Sequence, residues 1–154
     1  MIVEILTYLH LLAVAVLVGK IVFLSFVAAQ VLVRTLNADA FARVVRLLIP
    51  RYYALGMIAA IVGWASVTGL GLLTGFGPRA LIAATLWLGV LAMETYCRAD
   101  LTPRINALSD QFRDAAQRGV DTVSIRKDRE ALHRLSVQLN SVALILGLCL
   151  LGLI

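Results

Sequence analysis

Four long apolar runs, separated by segments that carry most of the charge, dominate the chain. A helix needs about 20 mostly apolar residues to cross the hydrocarbon layer of a membrane. The runs therefore predict four membrane spans, at about residues 3–33, 52–76, 80–97 and 133–154. No alternating pattern indicates strands, which in lipid would have to close into a barrel. We expect an all-α fold, a four-span antiparallel transmembrane helix bundle.

The segment between the first two spans, residues 37–50, has the pattern of a helix. Its apolar residues recur on one face and its arginines on another. Asn37 or Asp39 can cap the start of this helix. Pro50 lacks the amide proton that a continuing helix uses, so we expect a kink where the segment meets the second span.

The other connections also carry structural signals. Residues 75–79 read Gly-Phe-Gly-Pro-Arg, which predicts a tight turn and an antiparallel hairpin between the second and third spans. In the segment 101–130 apolar residues recur at steps of four and three. This pattern predicts a helical extension that begins at Thr102 and Pro103 and ends near Gly119.

The composition agrees with a membrane protein. Hydrophobic residues make up 61% of the 154 positions and charged residues only 15%, against roughly 25% charged in a soluble domain. A soluble single domain and a disordered chain are both excluded. The net charge of +5 follows from the basic connections, so nucleic acid is not an expected partner.

The positions of lysine and arginine predict the orientation. Eight lie between the third and fourth spans, from Arg98 to Arg134, whereas the second connection has only Arg79. Four lie between the first two spans: Arg34, Arg43, Arg46 and Arg51. The positive-inside rule then places both basic connections in the cytoplasm, against an anionic leaflet, and both termini outside. We expect a bacterial inner-membrane location and no cleaved signal peptide, since no basic n-region precedes the first apolar run.

Among the charged and histidine side chains of the predicted spans, three are expected to lie inside the hydrocarbon layer: His10, Lys20 and Glu94. Such groups are costly in lipid, and they normally pair with another charge, bind a ligand or relay a proton. Ten residues rotate a helix by about 280°, so His10 and Lys20 lie within about 80° of each other. Lys20 and Glu94 reach similar depths, which predicts a buried ion pair. That pair serves either as a bridge between helices or as a charged lining for a small solute or a proton.

His10 allows two interpretations. It either makes a hydrogen bond between helices or is the axial ligand of haem b or a contact of a soft metal. Cys97 and Cys149 lack the close spacing of a metal or redox motif, and we interpret both as reduced and structural. The sequence contains no catalytic triad, phosphate loop or paired-carboxylate site.

Polar and small residues form a narrow stripe on the last span. They advance by three, four, three and four positions: His133, Ser136, Asn140, Ala143 and Gly147. In lipid such a stripe is first of all a packing face between helices.

The motifs LHLLAVAVLVG, LIPRYYALG, LTPRINAL and LHRLSVQLNSVALILGL, in this order, resemble a small membrane family of unknown function that includes human transmembrane protein 205. The positions that match the family pattern are His10, Phe23, Phe26, Arg34, Pro50, Tyr52, Pro103, Arg104, His133, Ser136 and Asn140. The resemblance implies a four-helix membrane protein, and the human member is associated with tolerance to platinum drugs. The first-span histidine is more distantly similar to that of copper-resistance membrane proteins and of the bacterial haem-containing protoporphyrinogen oxidase.

From these features we expect non-enzymatic handling, transport or tolerance of a small solute or a soft-metal species. Two alternatives remain open at the level of sequence. One is a haem- or porphyrin-binding membrane oxidoreductase that uses His10. The other is a structural subunit that packs through its glycine faces against a larger membrane complex or a second copy of itself.

Overall fold

A computed structural model of the chain describes residues 1–153, so Ile154, the last residue of the predicted fourth span, lies outside the described residues. Residues 1–153 form four long helices and no strand. The helices are α1 (Ile2–Thr35), α2 (Ala38–Thr74), α3 (Pro78–Gln117) and α4 (Val123–Leu150). Each is long and apolar enough to cross a membrane. The predicted all-α class and the four helices are confirmed.

The helix ends follow the local signals in the sequence. The Asn37 side chain accepts a hydrogen bond from the amide of Ala40 at 2.9 Å, which caps α2 as predicted. Between α2 and α3 the chain turns at Gly75, whose φ of +93° favours glycine. Pro78 then occupies the first position of α3, where a missing amide proton costs nothing.

Two of the helices contain a π-helical segment, in which the backbone turn is wider than in an α-helix. One is Phe23–Ala28 in α1 and the other is Cys97–Leu101 in α3. The second lies directly before the predicted extension, whose α-helical part begins at Thr102 with Pro103 in its first turn, as predicted. The Thr102 hydroxyl donates to the carbonyl of Cys97 at 2.7 Å, and α3 continues through Pro103 as one helix. Proline has no amide proton to donate to the preceding turn of the helix. The wide turn before Pro103 tolerates this missing hydrogen bond, so the helix does not have to end there.

The second helix also passes through a proline without ending. Residues 37–50 and the predicted second span belong to one helix, and Pro50 lies inside it. The extension is therefore helical as expected. The kink at Pro50 stays a prediction.

The four helices pack so that α2 contacts both α1 and α3, while α4 contacts α1 and α3 from the other side. Helices α1 and α3 thus face each other across the bundle. Large apolar side chains point outward, with Ile58 59%, Leu72 74% and Ile145 58% exposed. Charged Lys20 and Glu94 are buried. This arrangement would be unfavourable in water and is the one expected in lipid.

The basic extensions of α2 and α3 are tied to each other by exposed ion pairs. The Arg46 guanidinium contacts Asp110, and Arg113 lies 3.3 Å from Asp39. The α3 extension also packs against the start of α4, where the guanidinium carbon of Arg129 lies 5.1 Å from the centre of the Phe112 ring. Both extensions therefore form part of one packed structure at this end of the bundle.

Candidate functional site

A buried ion pair links α1 to α3 across the middle of the bundle. The Lys20 Nζ lies 2.7 Å from both carboxylate oxygens of Glu94, and the two side chains are only 3% and 2% exposed. The pairing that the depths of the two residues predicted is present. Because each charge compensates the other, neither is left alone in the low-dielectric interior.

The surroundings of the ion pair are built by α2. The carbonyl oxygen of Tyr52 accepts a third, longer contact from Lys20 Nζ at 3.4 Å, and the Tyr52 ring centre lies 3.9 Å from the same ammonium. Gly56 provides the space, because a Cβ atom there would collide with Glu94 Oε2 and Lys20 Nζ. A larger residue at this position of α2 would therefore force the two charged groups to shift.

His10 lies at the other end of the same interior and is fully buried. The indole N–H of Trp87 donates to its Nδ1 at 3.3 Å, and its Nε2 lies 3.2 Å from the carbonyl oxygen of Leu150. A neutral ring with its proton on Nε2 satisfies both contacts. Of the two interpretations of His10, a hydrogen bond between helices and a ligand of haem or a soft metal, this geometry corresponds to the hydrogen bond. A haem iron or a soft metal would have to displace Trp87 or Leu150 from the ring.

A layer of polar side chains joins α2 to α4 next to the ion pair. The Tyr52 hydroxyl donates to Asn140 Oδ1 at 2.8 Å, and Asn140 Nδ2 donates to the Tyr53 hydroxyl at 3.2 Å. The Tyr53 hydroxyl lies 2.9 Å from Ser136 Oγ. The predicted stripe on the last span thus faces α2 with Ser136 and Asn140. Its small residues, Ala143 and Gly147, are buried in the bundle.

Beside this layer lies a groove with a volume of about 490 Å³. Side chains from residues 21–32 of α1, 41–53 of α2 and 133–144 of α4 line it. The π-helical segment of α1 contributes Leu24, Ser25 and Phe26 to its wall. The groove was not predicted from the sequence, because it depends on how three helices diverge and not on the pattern within any one of them.

Most of the groove wall is apolar, and part of it is formed by the apolar face of the extension that the sequence predicted. The polar side chains are fewer and none carries a fixed charge. They are Ser25, Tyr52, Tyr53, His133, Ser136, Asn140 and Ser141. The groove therefore joins an apolar surface to a hydrogen-bonding surface, which suits a ligand that has both characters.

The structure brings some of the predicted site residues together and separates others. Tyr52 connects the ion pair to the groove, and His133 lines the groove as an exposed side chain. Arg34 lies exposed at the end of α1, and Arg104 pairs with Asp100 of its own helix at 3.2 Å. Family-motif residues therefore do not form a single cluster.

Sequence reasoning missed Trp87, Tyr53 and Gly56 as members of the site. A tryptophan in an apolar span is normally a packing residue, so its hydrogen bond to a histidine 77 positions away had no signal. Gly56 had been recognised only as part of a small face on the second span. Its position opposite the two charges could have been found from the predicted depths of the spans.

The described part of the chain contains no group of three or more His, Cys, Asp or Glu side chains that could hold a metal ion. Cys97 is buried and Cys149 is exposed, and both are free thiols. Within residues 1–153 the buried side chains of the His, Lys, Arg, Asp and Glu types are His10, Lys20 and Glu94.

Four helices that are long and apolar enough to cross a membrane, with exposed apolar faces and a buried Lys20–Glu94 pair, define an integral membrane protein. A family model matches residues 12–114, well over half of the chain, and the chain belongs to that family, described as a domain of unknown function, DUF4149. No match was found among curated proteins or among solved structures.

Proposed function

We propose that the protein binds a small solute in the groove between α1, α2 and α4, as a step in transport of that solute or in tolerance to it, and that no reaction takes place on the solute. The groove carries this proposal. Its volume of about 490 Å³ falls in the range of roughly 300–1,000 Å³ that is common for small-molecule sites.

The exposed residues of the groove support entry of the solute from the membrane. Phe26 is 64% exposed and Val137 is 51% exposed, and both lie on the rim of the groove. In a bilayer this rim faces acyl chains. A solute that partitions into lipid can therefore reach the polar layer without crossing a packed interface.

The ion pair supports a structural contribution to the same function. Lys20 and Glu94 join α1 to α3, and Tyr52 contacts Lys20 on one side and lines the groove on the other. We interpret the pair as the group that fixes the two helices behind the groove. His10 and Trp87 do the same at the opposite end of the bundle.

A small organic solute fits the groove better than a soft metal does. Among residues 1–153 no three metal-ligating side chains lie together, and soft metals prefer thiolate or several imidazole ligands. The resemblance to the transmembrane protein 205 family supports a role in tolerance. We place the protein in a bacterial inner membrane with both termini outside, which puts the groove in the cytoplasmic half, at the end of α1 that carries Arg34.

A photoreactive probe tests the proposal. The protein in lipid nanodiscs is irradiated with a decanol derivative that carries a diazirine, and the labelled peptides are mapped by mass spectrometry. We expect labels to concentrate on residues 21–32, 41–53 and 133–144. Ala29→Phe, which fills the groove from α1, should remove most of this labelling.

Ala15→Phe is the matched control, because Ala15 lies exposed on the same helix but does not line the groove. This variant should leave the labelling unchanged. Cells that produce wild type or Ala15→Phe should also tolerate toxic apolar amphiphiles better than cells that produce Ala29→Phe. Labelling spread evenly over all exposed helix faces, with no effect of Ala29→Phe, would refute the proposal.

A further inference from the structure

The last part of α1, residues 23–35, is only loosely attached to the rest of the protein, and we call it the arm. Extensive packing of α1 against α2 and α4 is confined to Ile2–Val22. No residue of the arm is buried, although most of its residues are apolar. An apolar helix of a membrane bundle normally packs one face against its neighbours. The inner face of the arm borders the groove instead.

The inner face of the arm and the face of α2 across the groove have the spacing of a packed helix pair. Groove residues on both helices recur at steps of three and four, which places each set on one side of its helix. They are Ile21, Ser25, Ala29 and Leu32 on α1, and Phe41, Val45, Leu48 and Tyr52 on α2. Two such faces fit together when helices pack, yet here the groove separates them.

The turn between the two helices brings these faces to the same level. Residues 36–37 join the arm to α2 with extended backbone. Counting away from this turn at about 1.5 Å per residue sets Ala29 opposite Val45. The contact of Lys20 Nζ with the Tyr52 carbonyl oxygen at 3.4 Å agrees with this register. The register therefore allows the arm to pack directly against α2.

The backbone is irregular at both ends of the arm. The arm begins with the π-helical segment Phe23–Ala28, where the amide of Ala29 donates to the carbonyl of Leu24, five residues earlier. It ends at the extended residues 36–37. Wide π-helical turns interrupt the regular helix, and hinges are a few residues at the ends of elements that absorb changes in backbone angles. The arm is therefore bounded by two places at which the chain can bend.

The neighbours of the arm are fixed by polar contacts, whereas the arm is not. The Lys20–Glu94 pair fixes α1 just before the arm, and two exposed ion pairs join the extension of α2 to α3. Within residues 1–153 the side chains of the arm form no ion pair and no hydrogen bond to another helix. The Thr35 hydroxyl donates to the carbonyl of Val31, which belongs to the arm itself. Movement of the arm therefore breaks no polar contact between helices.

We propose that the arm opens and closes the groove. It moves between the open position of this structure and a closed position in which its inner face packs against α2, and the solute binds only to the open one. The π-helical segment and residues 36–37 are the two hinges. Closing displaces the solute, which supplies the release step that transport requires. The part of this inference that concerns the solute rests on the proposed function, whereas closure of the empty groove does not.

The membrane explains why a solute can decide the position of the arm. Acyl chains contact an apolar face about as well as another helix does, so closing gains packing but no hydrophobic free energy. We therefore expect the open and closed positions to differ little in free energy. A ligand that binds only one of two such states shifts the protein toward that state.

A disulfide between the arm and α2 detects the closed position. The variant carries Ala29→Cys and Val45→Cys in a Cys149→Ser background and is oxidised with dipyridyl disulfide, with one protein in each nanodisc. Two cysteines form a bridge only when their Cβ atoms approach to about 4 Å, so the bridge should form without ligand as the arm closes. The decanol derivative, kept in the dark at about ten times its Kd, should slow the bridging by up to about tenfold, because it holds the arm open.

The bridged protein tests the link between closure and binding. With the arm held against α2, the photoreactive probe should no longer label the groove. Reduction of the disulfide should restore the labelling.

Val31→Cys with Val45→Cys is the matched control. Val31 belongs to the same arm, but it is exposed and does not line the groove. This pair should not form a bridge with or without the decanol derivative. If it does so as fast as the test pair, local unfolding rather than closure brings the cysteines together, and the proposal is wrong.

The remaining outcomes separate closure of the arm from the proposed function. If the photoreactive probe labels the groove but the test pair forms no bridge, or forms it equally fast with the decanol derivative, the arm does not control the groove and the binding groove stands. Labelling of the groove in the bridged protein would also refute control by the arm. If the test pair forms a bridge but the probe does not label the unbridged protein in the groove, the proposed function and the release step fail, and closure of the empty groove stands.

Discussion

At the scale of single residues, both ring nitrogens of His10 have hydrogen-bond partners on other helices. Its two nitrogens meet an indole donor on α3 and a carbonyl acceptor at the last residue of α4. The Leu150 carbonyl lies in the final turn and also accepts a longer bond, at 3.4 Å, from the amide of Leu153. One ring therefore joins three helices, and its two hydrogen bonds compensate for its burial.

Substitution of His10 separates packing from ligation. In His10→Gln the amide can accept from Trp87 and donate to Leu150, so we expect a free energy of unfolding within about 1 kcal/mol of wild type. His10→Ala leaves the indole N–H of Trp87 without its acceptor and opens a cavity, and should cost about 1–3 kcal/mol or more. Unfolding in mixed lipid–detergent micelles measures both. A Soret absorption band in the purified wild type that both variants lose would instead identify His10 as a haem ligand.

The ion pair gives a second prediction at this scale. Lys20→Met leaves the Glu94 carboxylate alone in the interior and should destabilise the protein by about 3–5 kcal/mol. The double variant Lys20→Met with Glu94→Leu removes both charges, and we expect it to recover most of the loss. The same unfolding measurement applies.

Arg104→Met is the control for the ion pair, because it breaks an exposed pair with Asp100 and should cost less than about 1 kcal/mol. If the double variant is as unstable as Lys20→Met, the two charged side chains stabilise the protein beyond compensating each other's charge. If it is stable but no longer binds the photoreactive probe, Lys20 and Glu94 take part in solute binding rather than only fixing the helices.

A contact between two residues could be predicted from the sequence where it depends only on how deep each residue lies in the membrane. Lys20 and Glu94 could be paired because both positions are counted from the ends of clearly bounded spans. The bond between His10 and Trp87 could not be predicted, because it needs the rotation of α3 about its axis.

At the scale of elements, the two π-helical segments occupy corresponding places. One begins at Phe23, three residues after Lys20, and the other begins at Cys97, three residues after Glu94. Each helix therefore changes its pitch just beyond its member of the ion pair. A wider turn re-aims the side chains that follow it. In α1 these side chains include Ser25, which the widened turn contributes to the groove.

The paired extensions give a pH-dependent prediction. The hydrogen bond from Arg46 holds the pKa of Asp110 below its usual range. A lowered pKa in the folded state means that the contact contributes fully above the ordinary aspartate pKa, about 3.9, and is lost as the pH falls through the lowered value. Between pH 7 and 5 we expect no change in the distance between α2 and α3 at this end.

Spin labels at Arg43→Cys and Gln111→Cys, in a Cys149→Ser background, measure that distance. Both labelled positions are exposed and lie beside the contact without taking part in it. The distance distribution should broaden below about pH 4, whereas Asp110→Asn should show the broad distribution at every pH. Broadening between pH 7 and 5 in the wild type would show that another group controls the contact.

At the scale of the whole molecule, the distribution of polarity could be predicted almost completely. Apolar runs of sufficient length specify the helices, and the glycine and proline of residues 75–79 specify the hairpin. The sequence gives no comparable signal for a π-helix, so the π-helical segment that joins the third span to its extension was not predicted. The groove could not be predicted for a similar reason. Its shape depends on how the axes of the helices diverge, whereas the sequence shows only which residues share a face of one helix.

The orientation of the whole molecule remains a prediction, and it follows from the imbalance of basic residues. The connections at one end carry twelve lysine and arginine residues, whereas the α2–α3 turn carries only Arg79. Moving the basic end across the membrane would require all of these charges to leave the cytoplasm. We therefore expect the turn between α2 and α3 to face the outside, with both termini.

Cysteine labelling in intact cells measures the orientation. In a Cys149→Ser background an impermeant thiol reagent should label Gly77→Cys in the turn and should reach Gln117→Cys only after lysis. Cys97 can stay, because it is buried. The opposite labelling pattern would show that the orientation in the membrane is the reverse of the predicted one. The groove would then open in the outer half of the membrane, so a solute bound there would have entered from the outer leaflet rather than from the cytoplasmic one.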